Sequence, residues 1–265
     1  MPDPYANLRE APVEIQRRLA NALDTRAADP SQVEIRRRYF ANLHLPLGAK
    51  AVEFGCGTGH VTRDLIEVAG AAEAIGIEPS PVMITRAREQ HSDVPGLKFQ
   101  EGDAAITGMA ARSMDLVVMH TLLCHAPAVE ALLSEAARII KPGGLIAVFD
   151  GDYELSSVAL SSNDPLQVLV NRWVALVHDR WVPRRLGKLL AAADFQIRRT
   201  DIFGYAATDP AYFLTVIDRG ADLLVADGVL GQPAAEALKA EARRRSDEGT
   251  FFGSMSYVCV IAAKL

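Results

Sequence analysis

Gly55, Gly57 and Gly59 stand on a two-residue rhythm in Ala51-Val52-Glu53-Phe54-Gly55-Cys56-Gly57-Thr58-Gly59-His60, directly behind a short apolar run. A strand, a tight glycine turn and a helix N-terminus in succession expose backbone N–H groups and the positive end of a helix dipole. Such a corner suits a polar, nucleotide-like ligand, and glycines alone do not say which nucleotide. Glu78, at the end of the next apolar run, supplies a carboxylate able to accept hydrogen bonds from both hydroxyls of a ribose. A nicotinamide dinucleotide would want an acid at the same place. The dinucleotide fingerprint, however, is G-x-G-x-x-G/A, and here the third small residue falls one position early, with His60 after it.

The elements that must position these residues alternate. Residues 7 to 43 read as helical, and Pro46 and Gly48 break the pattern before strand Ala51–Phe54. Helix Val61–Ala69, strand Ala74–Ile77, helix Pro81–Gln90, strand Leu97–Gln100 and strand Met114–Met119 follow. Helix Ala128–Ile140 stops at Lys141-Pro142-Gly143-Gly144 before strand Leu145–Phe149. This order predicts an α/β fold, a Rossmann-like doubly wound, mostly parallel sheet. The later half is richer in helix: 165–181, 184–193, 210–227 and 233–246, with strands at 195–203 and 254–262. A seven-stranded sheet with its last strand antiparallel is expected. Residues 1–47 form an N-terminal helical extension or lid before a main domain, 48–265, and helical cap insertions span about 155–182 and 208–248.

The GxGxG spacing resembles motif I of the class I S-adenosylmethionine (SAM)-dependent methyltransferases, and the resemblance continues past the glycines. Glu78 in Gly76-Ile77-Glu78-Pro79-Ser80, Gly102-Asp103-Ala104 after the third strand, Asp115–His120 in the fourth, and Arg138-Ile139-Ile140-Lys141-Pro142-Gly143-Gly144 before the fifth occur in the family's order from about residue 50 to 150. His120-Thr121-Leu122-Leu123-Cys124-His125-Ala126-Pro127 is most similar to the small-molecule branch that includes the ubiquinone and menaquinone enzymes. The resemblance implies SAM as cofactor and gives each position a role. Backbone at Gly55, Cys56 and Gly57, with Gly59 completing the turn, faces the methionyl part, and Glu53 orients its ammonium. Glu78 takes the ribose, Pro79 and Met83 border the adenine, and Gly102, Asp103 and Ala104 meet the base edge. His120 and Thr121 lie near the methyl group. For Cys56 and Met83, plain packing is an equal alternative, and His60 reads as a surface residue at a helix start.

Methyl transfer from a sulfonium is an in-line displacement, so the protein has mainly to align the reactants and exclude water. A general base is needed only for an acceptor that carries a proton. Ligands of open α/β sheets bind beyond the carboxyl ends of the strands, where His120 and His125 follow strand four and Asp150, Asp152 and Tyr153 follow strand five. His125 and Asp150 are the preferred bases, with His120 third. His178 reads as a packing residue with a polar tip. Tyr5, Tyr39, Trp173, Trp181, Tyr205, Tyr212 and Phe213 are candidates for an acceptor pocket, which would suit a small, flat, aromatic or quinone-like molecule.

Composition bounds the rest. The 265 residues are 49% apolar and 23% charged, with a net charge of −5, as in a globular protein with a large core. The acidic balance speaks against a nucleic-acid partner. No run reaches the length of a membrane span, and the first residues show no secretory h-region. Cys56, Cys124 and Cys259 are three and far apart, which supports neither a disulfide framework nor a metal site. A cytoplasmic enzyme, monomer or homodimer, is the expectation. Its alternatives are a SAM-binding protein without methyl transfer and an NAD(P)-dependent oxidoreductase.

Overall fold

The computed structural model describes residues 3–207 and 209–265. Residues 1, 2 and 208, which begin the lid and second cap segments delimited above, lie outside the described residues. Seven strands form one sheet in the order β3-β2-β1-β4-β5-β7-β6. They are β1 (Lys50–Phe54), β2 (Glu73–Glu78), β3 (Leu97–Glu101), β4 (Met114–His120), β5 (Ile140–Ser157), β6 (Phe195–Ala206) and β7 (Ser254–Lys264). β1 to β5 pair in parallel, and β7 runs antiparallel between β5 and β6. The Rossmann-like, doubly wound sheet with its last strand reversed is therefore as the sequence implies. The central strands β1 and β4 are buried almost throughout, which is why they read as unbroken apolar runs rather than alternating ones. Strand order reverses between β1 and β4, so the crevice beyond their carboxyl ends is the natural ligand site.

The helices are α1 (Val13–Ala28), α2 (Pro30–Phe40), α3 (His60–Glu67), α4 (Pro81–Gln90), α5 (Val129–Ile139), α6 (Gln167–Val174), α7 (Leu186–Ala192), α8 (Ala211–Ala226) and α9 (Gln232–Asp247). The helical stretch expected over 7–43 is a short 3-10 turn, Leu8–Glu10, followed by two helices. The break falls at Asp29-Pro30. Pro30 opens α2, and the Asp29 carboxylate accepts from the N–H groups of Ser31 and Gln32, a cap that starts a new helix rather than continuing the old one. The helix expected over 165–181 is likewise shorter, ending at Val174. β5 runs eight residues past the expected Phe149 because β7 extends its ladder from Phe149↔Cys259 to Ser157↔Ser254, where the parallel partner β4 has already ended.

In the cap, α6 and α8 approach so closely that a Cβ on Gly220 would lie 2.0 Å from the Leu169 carbonyl oxygen. α8 and α9 are laced by Lys239–Asp222 and Arg243–Asp218 ion pairs. One large core joins sheet and cap, and a separate small cluster of Leu8, Ala20 and Met83 holds the N-terminal segment on α4.

Candidate active site

The three glycines all take left-handed backbone, with φ of 69°, 52° and 85° at Gly55, Gly57 and Gly59. L side chains rarely adopt that region. Space is equally restrictive: a Cβ on Gly57 would sit 2.8 Å from Leu23 Cδ1 of α1, and one on Gly59 would sit 2.5 Å from Phe99 Cζ. The bend thus tucks between the sheet and the lid.

Its N–H groups are less free than the sequence implies. Gly55 and Cys56 both donate to the Ile77 carbonyl, at 2.8 and 3.0 Å, and Gly59 donates to Cys56 at 2.9 Å. Gly57 N–H donates to Glu78 Oε2 at 3.1 Å. The bend is stitched to β2, and Glu78 is the clasp. Its other oxygen accepts from Ser80 N–H at 3.1 Å. Burial nevertheless raises this carboxyl to about 7, against the lowering effect of those two hydrogen bonds. Glu53 is also buried; desolvation raises it to about 8, although the Thr62 hydroxyl donates to it. Two acids with weakened charge beside a polar bend form a site whose ionisation a ligand can complete.

A cavity of about 740 Å³ opens over this bend and continues under α1 and α8. That is toward the upper end for small-molecule sites, about 300–1,000 Å³. Its first half is lined by Glu53, Gly55, Cys56, Gly57, Glu78 and Pro79, and further along by Met83, Asp103 and Ala104. Of the expected cofactor residues, Gly59 and Gly102 do not line it. Gly59 serves as the left-handed start of α3, and Gly102 N–H is bound to the Glu78 carbonyl at 3.1 Å. His60, expected at the surface, does line it, and its Nε2 lies 3.0 Å from Asp24 of α1.

The second half carries two of the three candidate bases, His125 and His120, and not Asp150. His125 faces the cavity, with Nδ1 2.7 Å from Asp3 Oδ2 and its ring 4.6 Å from that of Tyr5. Asp3 also accepts from His178 N–H at 2.8 Å. Its carboxyl is held low: hydrogen bonding and the charge of His125 outweigh the upward push of burial. His120 lines the cavity too, but it stacks on Phe149 at 4.4 Å and 9° and meets the Tyr39 hydroxyl through Nδ1 at 2.9 Å. Burial, then the nearby Arg26 and Arg36 charges, drive its pKa well below the usual histidine value, so it is a neutral ring built into the aromatic core. Asp150 is fully buried and is not among the residues lining the cavity. Its carboxylate accepts from Cys124 and Gly151 N–H groups at 3.2 and 3.1 Å. Asp150 therefore fastens the loop after β4 and does not face a substrate. His178 is exposed and contributes its backbone, not its ring.

Of the expected aromatics, Tyr5, Trp173 and Tyr212 line the cavity, joined by Tyr153. Tyr39, Tyr205 and Phe213 belong to the core and Trp181 is 41% exposed. Sequence reasoning missed Asp3 and Arg26, which also line it. Neither sits in a motif, because α1 and the N-terminal segment fold back over the sheet from far away in sequence. Among the described residues no acidic, histidine or cysteine cluster suits a metal ion, and no helix is long and apolar enough to cross a membrane.

Comparison with known proteins adds a family to this geometry. Residues 52–148 match the model of the methyltransferase domain. The chain is 31% identical over 150 residues to the trans-aconitate 2-methyltransferase of Methylobacterium radiotolerans, covering 55% of this chain and 54% of that protein. It is 28% identical over 157 residues to a demethylmenaquinone methyltransferase of Staphylococcus aureus, covering 59% and 60%. The first curated relatives are matched over only 32% to 60% of their length. In fold it resembles phosphoethanolamine N-methyltransferase 2 of Haemonchus contortus, solved with S-adenosylhomocysteine, at a TM-score of 0.54 and 16% identity, covering 87% of this chain and 52% of that one.

Proposed function

We propose that this protein, whose residues 52–148 match the methyltransferase domain model, is a class I, SAM-dependent enzyme that transfers the methyl group of SAM to an O, N or C atom of a small, aromatic or quinone-like molecule. One observation carries the reading: a single cavity joins the glycine bend and its two buried acids to an aromatic chamber containing an aspartate-held histidine. The residues present fit the cofactor. The glycines of the bend take left-handed backbone with close neighbours that a Cβ would crowd, and the buried carboxylates beside it offer acceptors for an ammonium and a ribose.

When bound, SAM supplies an activated methyl on a sulfonium. The chain does the rest. Gly55, Cys56 and Gly57 receive the methionyl part and Glu53 its ammonium. Glu78 exchanges its Gly57 hydrogen bond for ribose hydroxyls, while Pro79 and Met83 flank the adenine and Asp103 and Ala104 meet its edge. Thr121 and the neutral His120 border the transfer point. His125, with Nδ1 turned to Asp3, keeps Nε2 to take a proton from an O–H or N–H acceptor, and the aromatic walls exclude water. The protein works in the cytoplasm as a monomer or homodimer.

Calorimetry with SAM and S-adenosylhomocysteine, followed by mass spectrometry of an acceptor mixture incubated with SAM, tests this. Micromolar binding and a methyl-sized mass gain are expected. Binding of NAD but of neither adenosyl compound would overturn the reading, as would transfer only to peptides or nucleic acid.

A further inference from the structure

Arg26, on the last turn of α1, is half-buried and lines the cavity. Its Nη2 donates to the Thr121 hydroxyl at 2.8 Å, and the Tyr212 hydroxyl of α8 is near enough to act on its charge. Among the described residues no carboxylate lies within ion-pair distance of it. Of the acids lining the cavity, Asp3 is engaged with His125, Glu78 with Gly57 and Ser80, Glu53 with Thr62, Asp103 with Ala105 N–H, Asp218 with Arg243 and Asp222 with Lys239. A guanidinium stays ionised in any protein environment. Removing it from water without a counter-charge is costly. Here the charge is met only by neutral hydroxyls, those of Thr121 and Tyr212, with Tyr5, Tyr153 and Tyr257 also near enough to act on it.

Resting on the reading above, we propose that Arg26 is the docking point for a carboxylate on the methyl acceptor, so that the substrate is a small aromatic or unsaturated carboxylic acid. Position assigns the anion to the acceptor. Thr121 follows β4 at the transfer point, Tyr153 lies on β5 and Tyr212 belongs to the cap, whereas the groups that suit the adenosyl part of the cofactor, Glu53, Glu78, Met83 and Asp103, lie on the β1–β3 side. Charge assigns the class. One planar guanidinium flanked by hydroxyl donors pairs bidentately with a planar monoanion, whereas a phosphate dianion would call for further cations beside it. Arg9, Arg18 and Arg219 also line the cavity, but the groups that act most on Arg26 are tyrosines. Geometry assigns the body of the molecule: Tyr153 and Trp173, with ring centroids 5.6 Å apart, and Tyr5 against His125 give the cavity aromatic walls. An acceptor anchored at Arg26 and lying on those walls presents its far end to His125.

Benzoate, 4-hydroxybenzoate and 3-phenylpropanoate, each paired with its own amide, test this by calorimetry on the full-length protein with and without S-adenosylhomocysteine. The acids are expected to bind roughly 10- to 100-fold more tightly than their amides, as for a hydrogen-bonded charge. Arg26→Gln should erase that preference, Arg26→Lys should keep part of it, and both should leave the S-adenosylhomocysteine affinity within about twofold. Thermal melts and the lysine variant separate loss of the site from loss of the fold. Equal binding of acid and amide by the wild type, or binding of neither, overturns the proposal. So does an Arg26→Gln effect confined to S-adenosylhomocysteine, since the anion would then be the cofactor's own. If S-adenosylhomocysteine gives no heat while acids bind through Arg26, the carboxylate site stands and the methyltransferase reading falls.

Discussion

The two halves of the cavity are built differently. The half over β1–β3 is made of neighbours in sequence: a bend of five residues, an acid one strand later and another acid after the next strand. The half under the cap is assembled from Asp3, Arg26, Thr121, His125, Tyr153 and Tyr212, contributed by five separate parts of the chain. A ligand held largely by backbone and two acids leaves a fixed spacing in the sequence. A ligand held by side chains on a lid and a cap leaves none, and that half is free to change with the acceptor. Variants in the two halves should therefore fail in different ways.

The largest separation is expected at His125. His125→Ala should lower kcat by about 10²–10⁴ for a protonated acceptor, the range of a lost general base, with S-adenosylhomocysteine affinity within twofold. Asp3→Asn should give a smaller loss and a shifted pH–rate profile. His120→Asn, which removes a stacked, neutral core ring, should lower the melting temperature and leave the acid limb of the profile in place. A His125 variant with full activity would leave the chamber no base.

Gly57→Val is the counterpart on the cofactor side. It requires a β-branched residue at φ 52° with its Cβ 2.8 Å from Leu23. The left-handed conformation alone costs about 1–2 kcal/mol, and relieving the contact turns the Leu23 side chain of α1 away from the bend. S-adenosylhomocysteine binding should weaken at least about 100-fold in a protein that still melts cooperatively. Gly204→Ala, in β6 where a Cβ meets nothing within 4 Å, is the matched control and should bind normally.

Glu78 links ionisation to binding. Its carboxyl stands at about 7 in the unliganded protein because burial penalises the charge. Accepting from two ribose hydroxyls calls for the carboxylate. S-adenosylhomocysteine affinity should accordingly be level above pH 7 and fall by up to tenfold per unit below it, and Glu78→Gln should bind weakly at every pH. Stability runs the other way. Glu53 and Glu78 hold protons in the native state up to about 8 and 7, while in the unfolded chain they release them near 4.5. Their contribution is fully present below pH 4.5 and lost as pH rises to 8, so Glu53→Gln should raise the melting temperature at pH 8 and not at pH 4.5. An affinity flat across pH 6–8 would remove Glu78 from the ribose.

What the sequence disclosed follows the same division. The alternation of strands and helices and the glycine bend are legible because periodicity and Gly/Pro punctuation are local signals, and the seven-stranded sheet with its reversed last strand follows from them and from the family resemblance. The break at Asp29-Pro30 carries one too, a proline at a helix start behind a capping aspartate, and it was passed over under a long polar-apolar pattern. The length of β5 was not legible, since it depends on pairing with β7 over a hundred residues later. Asp150 shows the limit most plainly. A carboxylate after a strand end reads as a candidate base, yet only the path of the loop from Thr121 to Pro127 decides that it turns inward to Cys124 N–H.

The smallest effect concerns how the halves are joined. α2 is anchored by the buried Arg36–Asp64 pair at 2.8 Å, but α1, which carries Arg26 and roofs the bend, has a lighter attachment. Besides the small Leu8–Met83 cluster and the Ser80–Gln16, Arg86–Asn21 and Arg26–Thr121 hydrogen bonds, it is held through Asp24, which lies 3.0 Å from His60 Nε2 and accepts from Arg86 at 2.6 Å and Gln90 at 3.0 Å. Burial of Asp24 is outweighed by hydrogen bonds from His60, Thr58 and Gln90, which lower its pKa to about 2, so the tether is charged at any working pH. Because its partners are partly exposed, it is worth only about 0.2–1 kcal/mol. Asp24→Asn should thus speed S-adenosylhomocysteine release by no more than about fivefold and remove the salt sensitivity of that rate. Leu23→Ala, which withdraws the side chain packed on Gly57, should change release with no salt dependence. If instead Asp24→Asn lowers kcat and leaves release alone, α1 acts on the acceptor half through Arg26, and the two halves of the cavity are coupled by the helix that covers both.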